Sequence, residues 1–121
     1  MKSDKLNLDE CFEQITDHWK PRVAAELNGH HVKLAKFKGE FLWHKHDFED
    51  EMFLVHKGSF IMQFRDHDVV LRQGDFLVVP HGVEHCPIAT EEVEVILFEP
   101  ASTVNTGDVI CSRTINAPES F

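Results

Sequence analysis

The chain has 121 residues, 42% hydrophobic and 27% charged, a balance that excludes a disordered or membrane-embedded class and suits one domain around one core. Twelve Lys and Arg against twenty-one Asp and Glu give a formal charge of −9. Such a surface repels a phosphate backbone, so nucleic acid is not an expected partner.

No apolar run approaches the roughly 20 residues that span a bilayer, and no signal-like apolar core follows Met1-Lys2-Ser3-Asp4-Lys5. Cys11, Cys86 and Cys111 are odd in number, far apart and without C-x2-C spacing. The expectations are therefore no membrane partner, free thiols and a cytoplasmic location.

In chain order, the first predicted element is a short helix at about 8–19. Asn7 can cap it, Asp9 and Glu10 suit its first turn, and Phe12, Ile15 and Trp19 fall on one face by three- and four-residue spacing. Pro21 is expected to stop it. A helix this short is marginal alone and must dock on the rest of the domain or on a second subunit.

Beyond Pro21 the apolar period becomes two. Residues 23–27, an Asn28-Gly29 turn and residues 32–37 read as a hairpin. Seven further strand candidates follow at 41–45, 51–57, 59–65, 69–72, 76–79, 84–88 and 93–98, separated by Gly, Pro, Asp or charged turns. Regular short strands with almost no helix predict an all-β sandwich or barrel, with its core at about 22–99. No internal repeat is visible, so 1–121 reads as a single barrel. The polar segment 100–121 reads as a loop or arm with a frayed end.

Within this pattern His44 and His46 are two apart, so on a strand both imidazoles point to one face. Glu51 opens the next apolar run after a polar turn, and His85 opens another after the Pro80-His81-Gly82 turn. Three imidazoles and a carboxylate make a mixed N/O set suited to a divalent transition metal. The same alternation turns Leu42 inward with the two His, and Phe53 and Val55 inward with Glu51, giving a largely apolar pocket wall. Phe41, Trp43, Met52 and Leu54 then face outward and need cover. Cys86 follows His85 directly but is sent to the opposite face. His56 and His67 read as surface residues, and His81 lies near enough to the mouth to be considered as a proton shuttle.

The pattern H-x-H-x4-E-x6-G at His44, His46, Glu51 and Gly58 resembles the first motif of the cupin superfamily, and G-x5-P-x-G-x2-H at Gly74, Pro80, Gly82 and His85 resembles the second. Gly39 lies one residue closer to His44 than the usual pattern asks, and the closing Asn is replaced by Ala89. The resemblance implies a small cupin-type β-barrel (double-stranded β-helix or jelly roll) of RmlC-like kind, with one divalent transition metal per chain (Fe, Mn, Zn or Ni) on His44, His46, Glu51 and His85. An empty polar pocket is the alternative. Cupins are commonly dimeric, and the outward apolar residues and short helix also point to a homodimer.

Function is less constrained than fold. Four protein ligands leave room on a six-coordinate ion, so three readings stay open for a small organic molecule: a metal-dependent oxygenase, a sugar isomerase resembling mannose-6-phosphate isomerase, and a non-enzymatic sensing or storage barrel. No separate catalytic base, phosphate-binding glycine loop or Ser-His-Asp set is visible.

Overall fold

A computed structural model describes residues 4–121. It contains one helix, α1 (Leu8–Glu13), and seven strands: β1 (Arg22–Leu27), β2 (His30–Glu40), β3 (Glu51–Lys57), β4 (Ser59–Phe64), β5 (Asp68–Arg72), β6 (Phe76–Val79) and β7 (His85–Pro100). All strand pairings between these elements are antiparallel. The architecture is the expected all-β one.

The sixteen-residue β7 joins the two halves of the barrel. Its second half runs between β2 and β3, pairing Val95 with Ala35 on one side and Val55 on the other. Its first half pairs with β4, where Ile61 meets Ile88 and Phe64 meets His85. The path β1-β2-β7-β3-β6 is thus linked through one strand to the β4-β5 hairpin. Sequence patterning predicts two strands here, at 84–88 and 93–98, whereas the backbone continues through both.

Period-two patterning gives each strand an inward apolar face. Phe37, Phe53, Val55, Phe60, Met62, Leu71, Val93 and Val95 fill the interior. The outer face of β2 carries Leu34, which Cys11, Phe12 and Ile15 cover in a second small cluster. Removing such fully buried Leu, Ile or Phe side chains costs about 2–5 kcal/mol each. The N-terminal segment is therefore tied to the barrel wall.

Four expectations need correction. The helix ends at Glu13, not near residue 19, and Pro21 is not its stop. The residues predicted to share one face divide between two clusters: Ile15 joins Phe12 against Leu34, while Trp19 stacks on Phe37 and Phe41 at centroid separations of 4.4 and 4.9 Å. The chain turns at Trp19, whose φ of +63° lies in the left-handed region. Segment 41–45 is not a strand; it is reduced to one bridge, in which His44 and His85 exchange backbone hydrogen bonds of 3.1 and 2.9 Å. Finally, the chain end is pinned, with Val23 N–H donating to Glu119 O and Phe121 N–H donating to Val23 O.

The Asn28-Gly29 turn forms as predicted, with φ of +49° and +75° that this residue pair tolerates. Gly107 has a different role. It packs against the Lys45 carbonyl and the His44 ring, where no Cβ would fit, and its φ is +57°. Asp108 closes the contact by accepting from Lys45 N–H and donating its own N–H to Lys45 O. The C-terminal loop thus braces the segment that carries His44 and His46.

Candidate metal centre

His44, His46, Glu51 and His85 come from three parts of the chain. The irregular 41–46 segment supplies the first two, β3 begins with Glu51, and β7 begins with His85. All four are at most 4% exposed, and one nitrogen or oxygen from each lies within 4.8 Å of the others. The Gly82 N–H donates to His46 O at 2.7 Å, so the Pro-x-Gly turn locks the second motif onto the first.

Backbone carbonyls orient two of the rings. His44 Nδ1 lies 2.9 Å from Leu42 O, and His85 Nδ1 lies 2.9 Å from Val83 O. A carbonyl only accepts, so each Nδ1 carries the proton and each Nε2 presents its lone pair. This fixes the tautomer a metal ligand needs. His46 Nε2 and His85 Nε2 lie 3.3 and 3.6 Å from Glu51 Oε1, the first too poorly directed and the second too far for a hydrogen bond. His46 Nε2, Glu51 Oε1 and His85 Nε2 are consequently buried polar atoms without partners. Such atoms cost roughly 1–3 kcal/mol each unless something satisfies them.

The electrostatics fit a cation. Burial and the neighbouring His85 push the His44 imidazole down to about 4, so it stays neutral and able to coordinate at neutral pH. Burial also acts to lower His46, but the Glu51 carboxylate overcomes it and raises that ring. For Glu51, burial acts upward, and His46 and His85 more than offset it, holding the carboxyl well below its usual range. Without an ion, the Glu51 carboxylate and the His46 ring favour each other's charged forms. Metal binding competes with protons for the imidazoles. The donor set and its orphaned atoms therefore fit a divalent metal held by these four residues.

A cavity of about 30 Å³ opens beside His44 and Glu51. Of the three predicted wall residues it exposes Phe53 only. Val55 is sealed into the apolar core, one pleat farther along β3. Leu42, on a segment that is not a strand, contributes its carbonyl to His44 rather than a side chain to the wall. Phe41, expected to face outward, instead stands edge-on to His44 and lines the cavity with Trp19 and Phe37. Trp43 is covered by the Arg65 guanidinium at 3.9 Å.

Two charged wall residues were missed by sequence reasoning. Lys33 and Glu99 line the same cavity and are 4% and 3% exposed, with Lys33 Nζ 3.4 Å from Glu99 Oε2 and 3.3 Å from Thr103 O. The signal was present in the alternation: Lys33 shares the inward face of β2 with Ala35 and Phe37, and Glu99 that of β7 with Val95 and Leu97. Burial and the adjacent Glu51 carboxylate raise Glu99 well above the usual carboxyl range, and Lys33 does not reverse this.

Other singled-out residues lie elsewhere. His81 is exposed and hydrogen-bonded to Asp50 at 2.9 Å. His56 stacks on Phe12, and His67 stacks on Phe64. Cys86 is buried behind His85, its thiol pushed up to about 11 by burial and by Glu40.

Comparison with known proteins agrees with this geometry. Residues 30–100 match the Cupin_2 family, described as a cupin domain. The uncharacterised protein YdbB of Bacillus subtilis is 42% identical over 62 residues, which are 50% of this chain and 55% of YdbB. The chain thus matches only about half the length of that relative. A cupin-2 domain protein from Shewanella frigidimarina has a crystal structure that is similar with a TM-score of 0.77 and 43% identity, covering 78% of this chain and 93% of that one. The structure of NMB1881 from Neisseria meningitidis gives a TM-score of 0.75 at 26% identity, covering 81% and 100%. The chain belongs to the Cupin_2 family.

Proposed function

We propose that this cupin holds one divalent transition ion per chain (Fe, Mn, Zn or Ni) on His44, His46, Glu51 and His85 and acts on a small organic molecule, with oxygenase chemistry as the favoured reaction class. The observation that carries this reading is the convergence of His46 Nε2, Glu51 Oε1 and His85 Nε2, all buried and all without hydrogen-bond partners. An ion there supplies Lewis-acid polarisation of a substrate and, when redox-active, electrons for dioxygen.

The chain's own residues do the remaining work. Leu42 O and Val83 O hold the Nδ1 protons of His44 and His85 so that both rings present Nε2 inward. Trp19, Phe37, Phe41 and Phe53 form a wall that excludes water and suits a flat apolar body. The same wall offers a polyhydroxylated sugar few hydrogen bonds, which weighs against the isomerase reading. Its buried cation, Lys33, is engaged by Glu99 rather than set in a phosphate-binding cluster.

Oxygen uptake by Fe(II)-loaded protein, given small phenolic, thiol or diketone compounds, tests the reading, and His85→Ala should abolish the uptake. Anaerobic turnover of a sugar with Mn(II) or Zn(II) would instead establish the isomerase. A small molecule that perturbs the metal spectrum and yields no product would establish a sensing or storage barrel.

The chain is further proposed to act as a homodimer. Leu6, Leu27 and Phe121 are exposed along the outer edge of β1, which ends the sheet. Light scattering should return twice the 14.0 kDa chain mass, and a single-chain mass at micromolar concentration would sink the dimer. Three free cysteines suit a reducing compartment, and the cytoplasm is the proposed location.

A further inference from the structure

Lys33 and Glu99 are the only buried charged residues among the described ones outside the metal cluster. A core position on a strand is ordinarily filled by an apolar side chain, and replacing a buried ion pair with apolar residues is often neutral or stabilising. The fold gains little from this pair at these positions. Its placement has another consequence, because one cavity touches His44 and Glu51 as well as Lys33 and Glu99.

Charge counting shows what that cavity would accept. A divalent ion contributes +2, Glu51 −1 and Lys33 +1, so the site carries +2 with Glu99 protonated and +1 with Glu99 ionised; in either state it is positive and almost closed to water. Uncompensated buried charge is costly, and a bound anion reduces it in either state. Lys33 has three N–H donors, of which two are directed to Glu99 Oε2 and Thr103 O, at the long distances of 3.4 and 3.3 Å. A third remains for a ligand. The Trp19, Phe37 and Phe41 faces favour a planar body, and the small volume favours few heavy atoms.

We propose that Lys33, positioned by Glu99 and by the Thr103 carbonyl, is the specificity-determining residue of this site and selects a small planar carboxylate. The assignment rests on the metal-binding reading given above. The carboxylate accepts from the Lys33 ammonium while the rest of the molecule faces His44 and Glu51 in the same cavity. Charge-assisted hydrogen bonds of this kind are roughly twice as strong as neutral ones.

The test uses Zn(II)-loaded protein, pyruvate as the planar monoanion and pyruvamide as its neutral counterpart. Both present two oxygens to a metal, so their difference isolates charge. Trp19 lines the cavity, and quenching of its fluorescence reports binding. Pyruvate is expected to bind at least about tenfold more tightly than pyruvamide, given the strength of a charge-assisted bond. Lys33→Met should remove that preference while leaving one metal per chain. Glu99→Gln, which keeps the Lys33 ammonium, should retain it. If Lys33→Met does not fold, the double variant Lys33→Met/Glu99→Gln, which leaves no unpaired charge, should show the same loss.

Equal binding of the two probes, no binding of pyruvate, or a preference that survives Lys33→Met would overturn the assignment. Metal analysis of the same samples separates the two ideas. Wild-type protein that takes up no metal sinks the proposed function, whereas metal-loaded protein without a pyruvate preference sinks the role of Lys33 alone.

Discussion

Two clusters among the described residues have the composition of a metal site, and only one of them has its chemistry. His44, His46, Glu51 and His85 form the first, and Asp9, His56 and Glu94 form the second; in both, the ligand atoms lie within 4.8 Å of one another. At the second cluster, His56 Nε2 is bonded to Asp9 at 2.8 Å and Lys57 Nζ reaches the same carboxylate at 2.9 Å. The two hold the Asp9 carboxyl below its usual range, and its side chain is 58% exposed. Of its buried side-chain atoms, only Glu94 Oε1 lacks a hydrogen-bond partner. At the first cluster three converging atoms lack one, and none reaches water. Proximity of His and acidic residues is common; buried ligand atoms left unsatisfied together are what distinguish a place prepared for an ion.

The comparison can be broken most forcefully by adding metal. Zn(II) at about 1,000 times its dissociation constant should stabilise the wild-type protein by about 4 kcal/mol in urea unfolding. His46→Ala should remove that gain and His56→Ala should keep it. Equal gains in both variants would mean that the two clusters are not different in kind.

The next effect is on pH dependence without metal. His44 titrates at about 4 in the fold against about 6.5 when unfolded. Between those values the unfolded chain binds a proton that the native ring refuses, so stability rises with pH. His44 should therefore cost about 3 kcal/mol on going from pH 7 to pH 4. His46, with its raised value, acts in the opposite sense: its contribution is present below 6.5 and lost as pH rises through its folded value. The difference in slope between wild type and His44→Asn isolates the first ring. Identical slopes would show that His44 is not held neutral.

A smaller loss is expected at the brace. Gly107→Ala places a Cβ where the Lys45 carbonyl and the His44 ring leave no room, at a φ that already disfavours alanine. About 2 kcal/mol of stability should be lost. Zn(II) affinity should also fall about tenfold, as happens when residues behind a ligand are disturbed. Unchanged affinity would mean that the C-terminal loop does not position the ligands.

The smallest effect belongs to the remote helix. Asn7 accepts from Glu10 N–H at 3.0 Å, and Asn7→Ala should cost about 1 kcal/mol with metal content unaltered.

How much of this was legible in the sequence differs from residue to residue. The His44, His46, Glu51 and His85 spacing was readable because each sits at an inward position set by short-range geometry. Their convergence survives even though 41–45 is not a strand, since the single His44 to His85 bridge supplies the register. Leu42 and Val55 were placed by alternation alone, which gives the face of a residue but not its height in the barrel. Trp19 reads as helical in the sequence because periodicity over eight residues cannot anticipate a turn at positive φ. Lys33 and Glu99 are not legible there because a charged residue on a strand is ordinarily assigned to solvent. Only the pairing of β2 with β7, 66 positions apart in the chain at that point, reveals their burial. The brace at Gly107 is likewise a long-range contact with no local signature.

The most direct measurement is the metal content of protein purified without added metal, by elemental analysis, for wild type, Glu51→Ala and His56→Ala with folding checked by circular dichroism. The account predicts one transition ion per chain in wild type and His56→Ala and almost none in Glu51→Ala. Folded Glu51→Ala with undiminished metal, or wild type that stays metal-free after Fe(II), Mn(II), Zn(II) and Ni(II) are each offered, would contradict it.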